Sequence, residues 1–162
     1  MESHQYDCHN VGEDINYLYN EATGRGTGMG GVGCYTGLYK GNNLHDLTDY
    51  GIEIYDPYCE GVLIIYNAIQ RVSGGGILIG ASISSYGCPN VEVSWNQITT
   101  TMYGVLVVES TGSTIHDNTI SNSARYGIYL CTATSGNQVY SNTISGSGYS
   151  SIMDNGTGIL IN

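Results

Sequence analysis

Phenylalanine is absent from the 162 residues, proline occurs twice and tryptophan once. Basic residues are almost as scarce: Arg25, Lys40, Arg71 and Arg125 stand against 14 carboxylates, for a formal net charge of −10. No basic stripe is available to displace counterions from phosphates, so nucleic acid is excluded as a partner. The same deficit argues against docking on an anionic bilayer. The longest aliphatic run, Val62 to Ile65, is far below the ~20 residues of a membrane-spanning helix, and no membrane insertion is expected. Met1-Glu2-Ser3-His4 lacks the basic and apolar regions of a signal peptide. No cysteine pair is spaced as CxxC, which removes zinc-ribbon and thioredoxin-like readings.

What fills the gap is glycine (24 residues), tyrosine (15), serine, threonine and asparagine. A lysine-poor chain of this kind predicts an extracellular or cell-surface protein. Such polarity can signal disorder, but here aliphatic residues recur at regular intervals, which a disordered tract does not show. One recurring element reads Ile64-x-x-Asn67-x-Ile69, Val93-x-x-Asn96-x-Ile98, Ile115-x-x-Asn118-x-Ile120 and Val139-x-x-Asn142-x-Ile144. Tyr17-x-x-Asn20-x-Ala22 and Tyr39-x-x-Asn42-x-Leu44 are weaker copies. A second element follows, as in Gly51-Ile52-Glu53-Ile54, Gly104-Val105-Leu106-Val107 and Gly127-Ile128-Tyr129-Leu130. Gly31-Val32-Gly33-Cys34 and Gly158-Ile159-Leu160-Ile161 are assigned as its first and last copies.

The spacing of the asparagines matches one turn of a parallel β-solenoid rather than a helical repeat. Period-two alternation within each element predicts strands with alternate side chains inside the coil. The expected fold is all-β: a single-stranded right-handed parallel β-helix of about six coils over residues 15–162, after an N-terminal segment, 1–14. Asn20, Asn42, Asn67, Asn96, Asn118 and Asn142 are expected to form an internal ladder, each asparagine taking the left-handed backbone of a bend. The glycine before each second strand is expected at a tight corner. Tyr50, Tyr103 and Tyr126, which precede that position, are placed to stack along one outer edge.

Copies such as Asp117-Asn118-Thr119-Ile120-Ser121-Asn122-Ser123 and Ser141-Asn142-Thr143-Ile144-Ser145 resemble the repeats of NosD-type and related carbohydrate-binding or sugar-hydrolase β-helices, of the pectate-lyase-like superfold. The resemblance implies the fold; it is nearly silent about activity, because this architecture carries lyases, hydrolases, epimerases and scaffolds. Tyr55-Asp56-Pro57-Tyr58-Cys59-Glu60 faintly resembles the Asp-Pro-His-Glu signature of alginate C5-epimerases, but Tyr58 and Cys59 stand where the histidine belongs.

Several residue groups are candidate sites. Asp46, Asp49, Asp56 and Glu60 come together if their rungs adjoin, and calcium is the candidate cation. His4, Asp7, Cys8 and His9 are a candidate N-terminal metal set. Cys8, Cys34, Cys59, Cys88 and Cys131 are candidates for disulfides in an oxidising compartment, or for buried apolar thiols. Glu92 with Glu109, and Glu53 with Asp56, are the carboxylate pairs considered for glycoside hydrolysis. No residue is singled out as catalytic, and no cofactor other than calcium is implied.

Two functions follow. The strand Gly158–Asn162 ends without a polar cap, which predicts self-association end to end, or with other surface-layer subunits, into a filament, sheath or layer. The alternative is a carbohydrate-binding or carbohydrate-active module that meets polysaccharide through exposed tyrosines and acidic loops.

Overall fold

The structure, a computed structural model, describes residues 4–55, 59–80 and 87–162, with side chains at all of these except 4, 5, 7–13, 32–34 and 55. It is an all-β right-handed parallel β-helix of about six turns. Every named strand pair is parallel.

Each turn begins in a short sheet of seven strands: Asn16–Leu18, Leu38–Lys40, Leu63–Ile65, Glu92–Ser94, Thr114–His116, Gln138–Tyr140 and Leu160–Ile161. The chain then bends at the ladder asparagine and enters a second sheet, of eleven strands. That sheet has an entry arm, which includes Glu21–Gly24, Asn43–Leu47, Thr119–Ser121 and Thr143–Ser145. Its exit arm includes Thr27–Tyr35, Tyr50–Tyr55, Tyr126–Leu130 and Ser150–Asp154. Ala68–Gly80 and Gln97–Val108 run unbroken through both arms and join them. His4–Glu13 adds a rung, paired with Thr27–Tyr35.

The asparagines are wired to one another. The main-chain N–H of Asn42 and its Nδ2 both donate to Asn67 Oδ1, at 3.0 and 2.9 Å. The same pair of bonds links Asn20 to Asn42, Asn67 to Asn96, Asn96 to Asn118 and Asn118 to Asn142. A further bond from the Nδ2 of Asn42, Asn67, Asn96, Asn118 and Asn142 reaches a strand carbonyl, such as that of Ile64 from Asn96 at 2.8 Å. The left-handed backbone, however, belongs to the preceding residue: Tyr19, Gly41, Tyr66, Trp95, Asp117 and Ser141 all have φ between 53° and 67°. The reason is division of labour: the residue before bends the chain, leaving the asparagine free to bond across rungs. A second left-handed column opens the short-sheet strands at Asp14, Thr36, Gly61, Asn90, Gly112, Gly136 and Gly158.

Aliphatic side chains stack inside in the same register. Ile64, Val93, Ile115 and Val139 line the short sheet, and Leu44, Ile69, Ile98 and Ile120 the entry arm. Ile52, Ile77, Val105 and Ile128 line the exit arm, and all these side chains are essentially fully buried. Each contributes about 1.5–3 kcal/mol relative to exposure. Where the column Val62–Val91 reaches its next rungs, Ser113 and Asn137 replace valine and make a second internal strip. There Val91 N–H donates to Ser113 Oγ at 3.2 Å, and Ser113 N–H to Asn137 Oδ1 at 2.8 Å.

The glycines before the exit-arm strands serve space rather than bending. A Cβ on Gly104 would stand 2.4 Å from Gly127 O and 2.5 Å from Ile120 Cγ2; Gly51, Gly76 and Gly127 show the same conflict with the next rung. Three sequence assignments shift accordingly. The first exit-arm copy is Gly28–Gly31, since Met29 pairs with Ile52 and Gly31 with Ile54. The last is Ser150–Asp154, paired with Tyr126–Leu130. Leu160–Ile161 belongs instead to the short sheet, against Gln138–Val139.

Candidate functional site

The exit arm turns two columns of side chains outward. One runs Tyr50, Gly75, Tyr103, Tyr126, Ser150; the other runs Gly30, Glu53, Leu78, Leu106, Tyr129, Met153. Alternation puts Glu53, Leu106 and Tyr129 outside because Ile52, Ile54, Val105 and Val107 beside them fill the core; Tyr50, Tyr103 and Tyr126 each precede a glycine whose own Cβ position faces core isoleucines. The result is a tyrosine-covered face. Tyr103 stacks on Tyr126 at 6.3 Å and 23°, and on Tyr129 at 6.0 Å and 26°. Tyr149 meets Tyr126 edge-on at 5.5 Å and is 69% exposed. Tyr50 lies two rungs from Tyr103, with Gly75 between them, its ring seated where a Cβ on Gly75 would come within 2.9 Å. Glycine at 75 therefore makes room for it.

Polar groups punctuate this face. Arg125 Nη1 donates to Tyr103 Oη at 2.8 Å, with the guanidinium 5.8 Å from that ring's centre. Hydrogen bonding to the Tyr103 hydroxyl holds the guanidinium pKa above its ordinary value. Arg125 has no carboxylate partner among the described residues, so its charge is left for something else. Asn155 Nδ2 donates to Tyr129 Oη at 3.3 Å, and Thr27 Oγ1 to Glu53 Oε2 at 3.0 Å. Burial, with Glu53 nearby, raises the Tyr50 hydroxyl above its usual pKa, so it stays a neutral donor. Such a face offers apolar ring surface, hydroxyl donors and acceptors, one cation at Arg125 and, further along, the Glu53 carboxylate.

Of the acidic residues singled out from the sequence, Asp46, Asp49 and Glu60 lie at different points of the turn. Asp46 accepts from Arg71 Nε at 2.7 Å and Nη2 at 2.8 Å, and meets His45 Nδ1 at 2.7 Å. Those bonds, Arg71 first, hold its carboxyl well below the usual range. Glu60 accepts from Asn90 Nδ2 at 3.3 Å at another bend. Asp49 precedes the exit arm, its carbonyl accepting from Gly74 and Gly75; Asp56 lies outside the described residues. Glu92 projects from the short sheet, whereas Glu109 follows the exit arm. Cys59 and Cys88 are buried, with thiols donating to the carbonyls of Gly31 and Ile54 at 3.5 Å. Burial raises the pKa of the half-buried Cys131 thiol. The side chains of Cys8 and Cys34 lie outside the described residues.

A family model described as "Periplasmic copper-binding protein (NosD)" matches residues 20–162. The chain belongs to the NosD family. No curated protein matches it. Among solved structures, a point mutant of the periplasmic alginate epimerase AlgG superposes with a TM-score of 0.75 at 16% identity, covering 98% of this chain and 42% of that one. An alginate lyase from Paenibacillus sp. str. FPU-7 gives 0.46 at 13% identity, over 91% of this chain and 77% of that one. Endopolygalacturonase I from Stereum purpureum gives 0.42 at 14%, over 90% and 67%. The AlgG likeness is one of fold, and this NosD-family chain spans about two fifths of the AlgG structure's length.

The family description raises copper, and the described residues do not fit it. No group of three His, Cys, Asp or Glu among them is placed to hold a metal ion. Both ring nitrogens of His45 are engaged by Glu21 and Asp46, and both of His116 by Glu92 and Asp117. The side chains of His4, Asp7, Cys8 and His9 lie outside the described residues.

Proposed function

We propose that this NosD-family protein is a polysaccharide-binding β-helix module of the periplasm or cell exterior, holding its glycan along the exit-arm face. One observation carries the reading: Tyr50, Tyr103, Tyr126, Tyr129 and Tyr149 share that face with Arg125, whose described partners are neutral. Aromatic edges and hydroxyls suit a polyhydroxylated chain, and an uncompensated guanidinium suits a uronate carboxylate, which it can grip with two parallel hydrogen bonds. The fold shared with an alginate epimerase supports polysaccharide over assembly into a filament. The family's printed description supports the periplasmic location.

Affinity electrophoresis in gels containing alginate, polygalacturonate or a neutral glucan tests this. Uronate polymers should retard the protein, and Arg125→Gln with Tyr126→Ala should abolish retardation while leaving the unfolding midpoint within a few degrees. Equal mobility in all gels refutes it. Uronate retardation that survives both substitutions moves the site elsewhere.

A further inference from the structure

The left-handed column before the asparagine ladder has an unexpected occupancy. Fold requirements alone favour residues such as Gly41, Asp117 and Ser141, yet Tyr19, Tyr66 and Trp95 hold the equivalent positions. These rings are not buried in compensation: Tyr19 is 72% exposed, Tyr66 55% and Trp95 51%. Tyr66 and Trp95 lie nearly parallel, 12° apart with centres separated by 6.1 Å.

The next rung continues the strip with polar groups. Asp117 follows Trp95 in the column, and His116 beside it meets Asp117 Oδ2 through Nδ1 at 2.7 Å and Glu92 Oε1 through Nε2 at 3.4 Å. The imidazole is backed by Tyr140, 4.9 Å away and 7° from parallel. Ser94 Oγ donates to Glu92 Oε1 at 2.7 Å, steadying the carboxylate from behind. Both carboxylates remain partly exposed, at 41% for Glu92 and 30% for Asp117.

We propose that Tyr66 and Trp95, with Glu92, His116 and Asp117, form a second glycan site that binds a neutral sugar chain running along the helix axis. Pyranose rings present flat C–H faces that rest on aromatic rings, and hydroxyl donors that require acceptors. Ionised carboxylates are acceptors only, so the strip asks for a donor-rich partner. Glu92 and Asp117 repel uronates at their end of the strip, the opposite preference to Arg125, while Lys40 Nζ lies 5.9 Å from the Tyr66 ring centre at the other end. A quaternary ammonium needs rings set steeply around it, whereas these two stack 12° from parallel. Rungs ~4.8 Å apart let successive sugars meet successive side chains.

The site is independent of the exit-arm reading, and its test is separable, because Trp95 is the chain's single tryptophan. Its emission is titrated with cellohexaose, mannohexaose and xylohexaose, with oligogalacturonate and choline as controls. At least one neutral hexamer should shift the emission saturably, and Tyr66→Asn and Asp117→Asn should each weaken that binding about tenfold or more. Trp95→Asn, whose side chain suits the left-handed backbone, should stay folded and lose the same binding by calorimetry. Arg125→Gln should change nothing here. A flat response to all three hexamers overturns the proposal, as does a stronger response to choline or oligogalacturonate. Undiminished affinity in Tyr66→Asn does so too.

Discussion

Replacing Asn96 by alanine tests the asparagine ladder at a fully bonded, buried rung. Asn96 Oδ1 accepts from Asn67 N–H and from Asn67 Nδ2, both at 2.9 Å. Its Nδ2 donates to Asn118 Oδ1, Ile64 O and Ser94 O. Alanine therefore strands two buried donors on Asn67, each costing about 1–3 kcal/mol, for a loss of about 2–6 kcal/mol. Asn118 Oδ1 keeps a partner, because the main-chain N–H of residue 96 remains. Against a total stability of about 5–15 kcal/mol, that is a large fraction. Asn20 at the first rung provides the contrast. Its Nδ2 donates to Asn42 Oδ1, which also accepts from Asn20 N–H and so loses one of two bonds. Asn20→Ala should cost only about 0.5–1.5 kcal/mol.

Urea unfolding followed by far-ultraviolet circular dichroism separates the two. With a slope of about 2 kcal/mol per molar, the Asn96→Ala midpoint should fall by about 1–3 M and the Asn20→Ala midpoint by less than about 1 M. Asn96→Asp sharpens the test. Its carboxylate keeps the acceptor facing Asn67 but sets a second acceptor against the three oxygens to which Asn96 Nδ2 now donates. It should be unstable at neutral pH and recover on acidification, as a proton restores a donor. Equal losses at residues 20 and 96, or an Asn96→Ala loss within about 0.5 kcal/mol of zero, would refute the hydrogen-bond accounting.

Gly104→Ala should cost at least about 1–3 kcal/mol by overpacking, since its Cβ meets backbone of the next rung; a neutral urea midpoint would contradict this. Trp95→Asn should raise the urea midpoint: it relieves about 1–2 kcal/mol of left-handed strain and forfeits a ring stack of about 0.5–1.5 kcal/mol. A midpoint lower by more than about 1 M would show that the ring supports the fold instead. The hydrogen bonds to Glu21 and then Asp46 raise the His45 pKa above its ordinary value of about 6.5. That contribution to stability is fully present below about pH 6.5 and fades as pH rises through the folded-state value. Proton NMR should find His45 titrating above His45 in Glu21→Gln; titration at or below the ordinary value would contradict the pairing.

Much of the fold was legible because stacking makes neighbours of residues one turn apart. The bonded asparagines are separated by 22, 25, 29, 22 and 24 positions. A residue type that recurs at such intervals between aliphatics has few other uses. The same logic misleads for side chains off the repeat. Adjacent rungs bring together residues at the same register, not all residues on neighbouring turns. Asp46 and Glu60 lie at different bends of one turn, where each finds its own partner. The exit-arm glycines were placed correctly in pattern and wrongly in cause, since their conflict is with atoms of the next rung that sequence cannot display. The Tyr103–Tyr126 stack followed from register alone. Tyr66 and Trp95 could have been noticed by the same means, as residues directly before Asn67 and Asn96, had the bend been assigned to that position.

The two outer faces differ in a way that bears on function. On the exit arm, tyrosines surround the Arg125 guanidinium, with Glu53 further along; at the asparagine corner, rings adjoin two carboxylates and an imidazole, with Lys40 over Tyr66. Because both faces repeat at the rung spacing, each suits a polymer lying along the axis better than a compact ligand, which would engage only one or two rungs. Their different charge patterns mean that one glycan cannot satisfy both equally. A chain carrying uronates should select the arginine face and a neutral chain the corner, so a mixed polysaccharide matrix would be bridged by a single molecule of this protein. Competition decides the matter: excess oligogalacturonate should release the protein from an alginate gel yet leave a neutral hexamer bound at Trp95. If one ligand displaces the other, the faces are not separate sites, and the charge argument that distinguishes them fails.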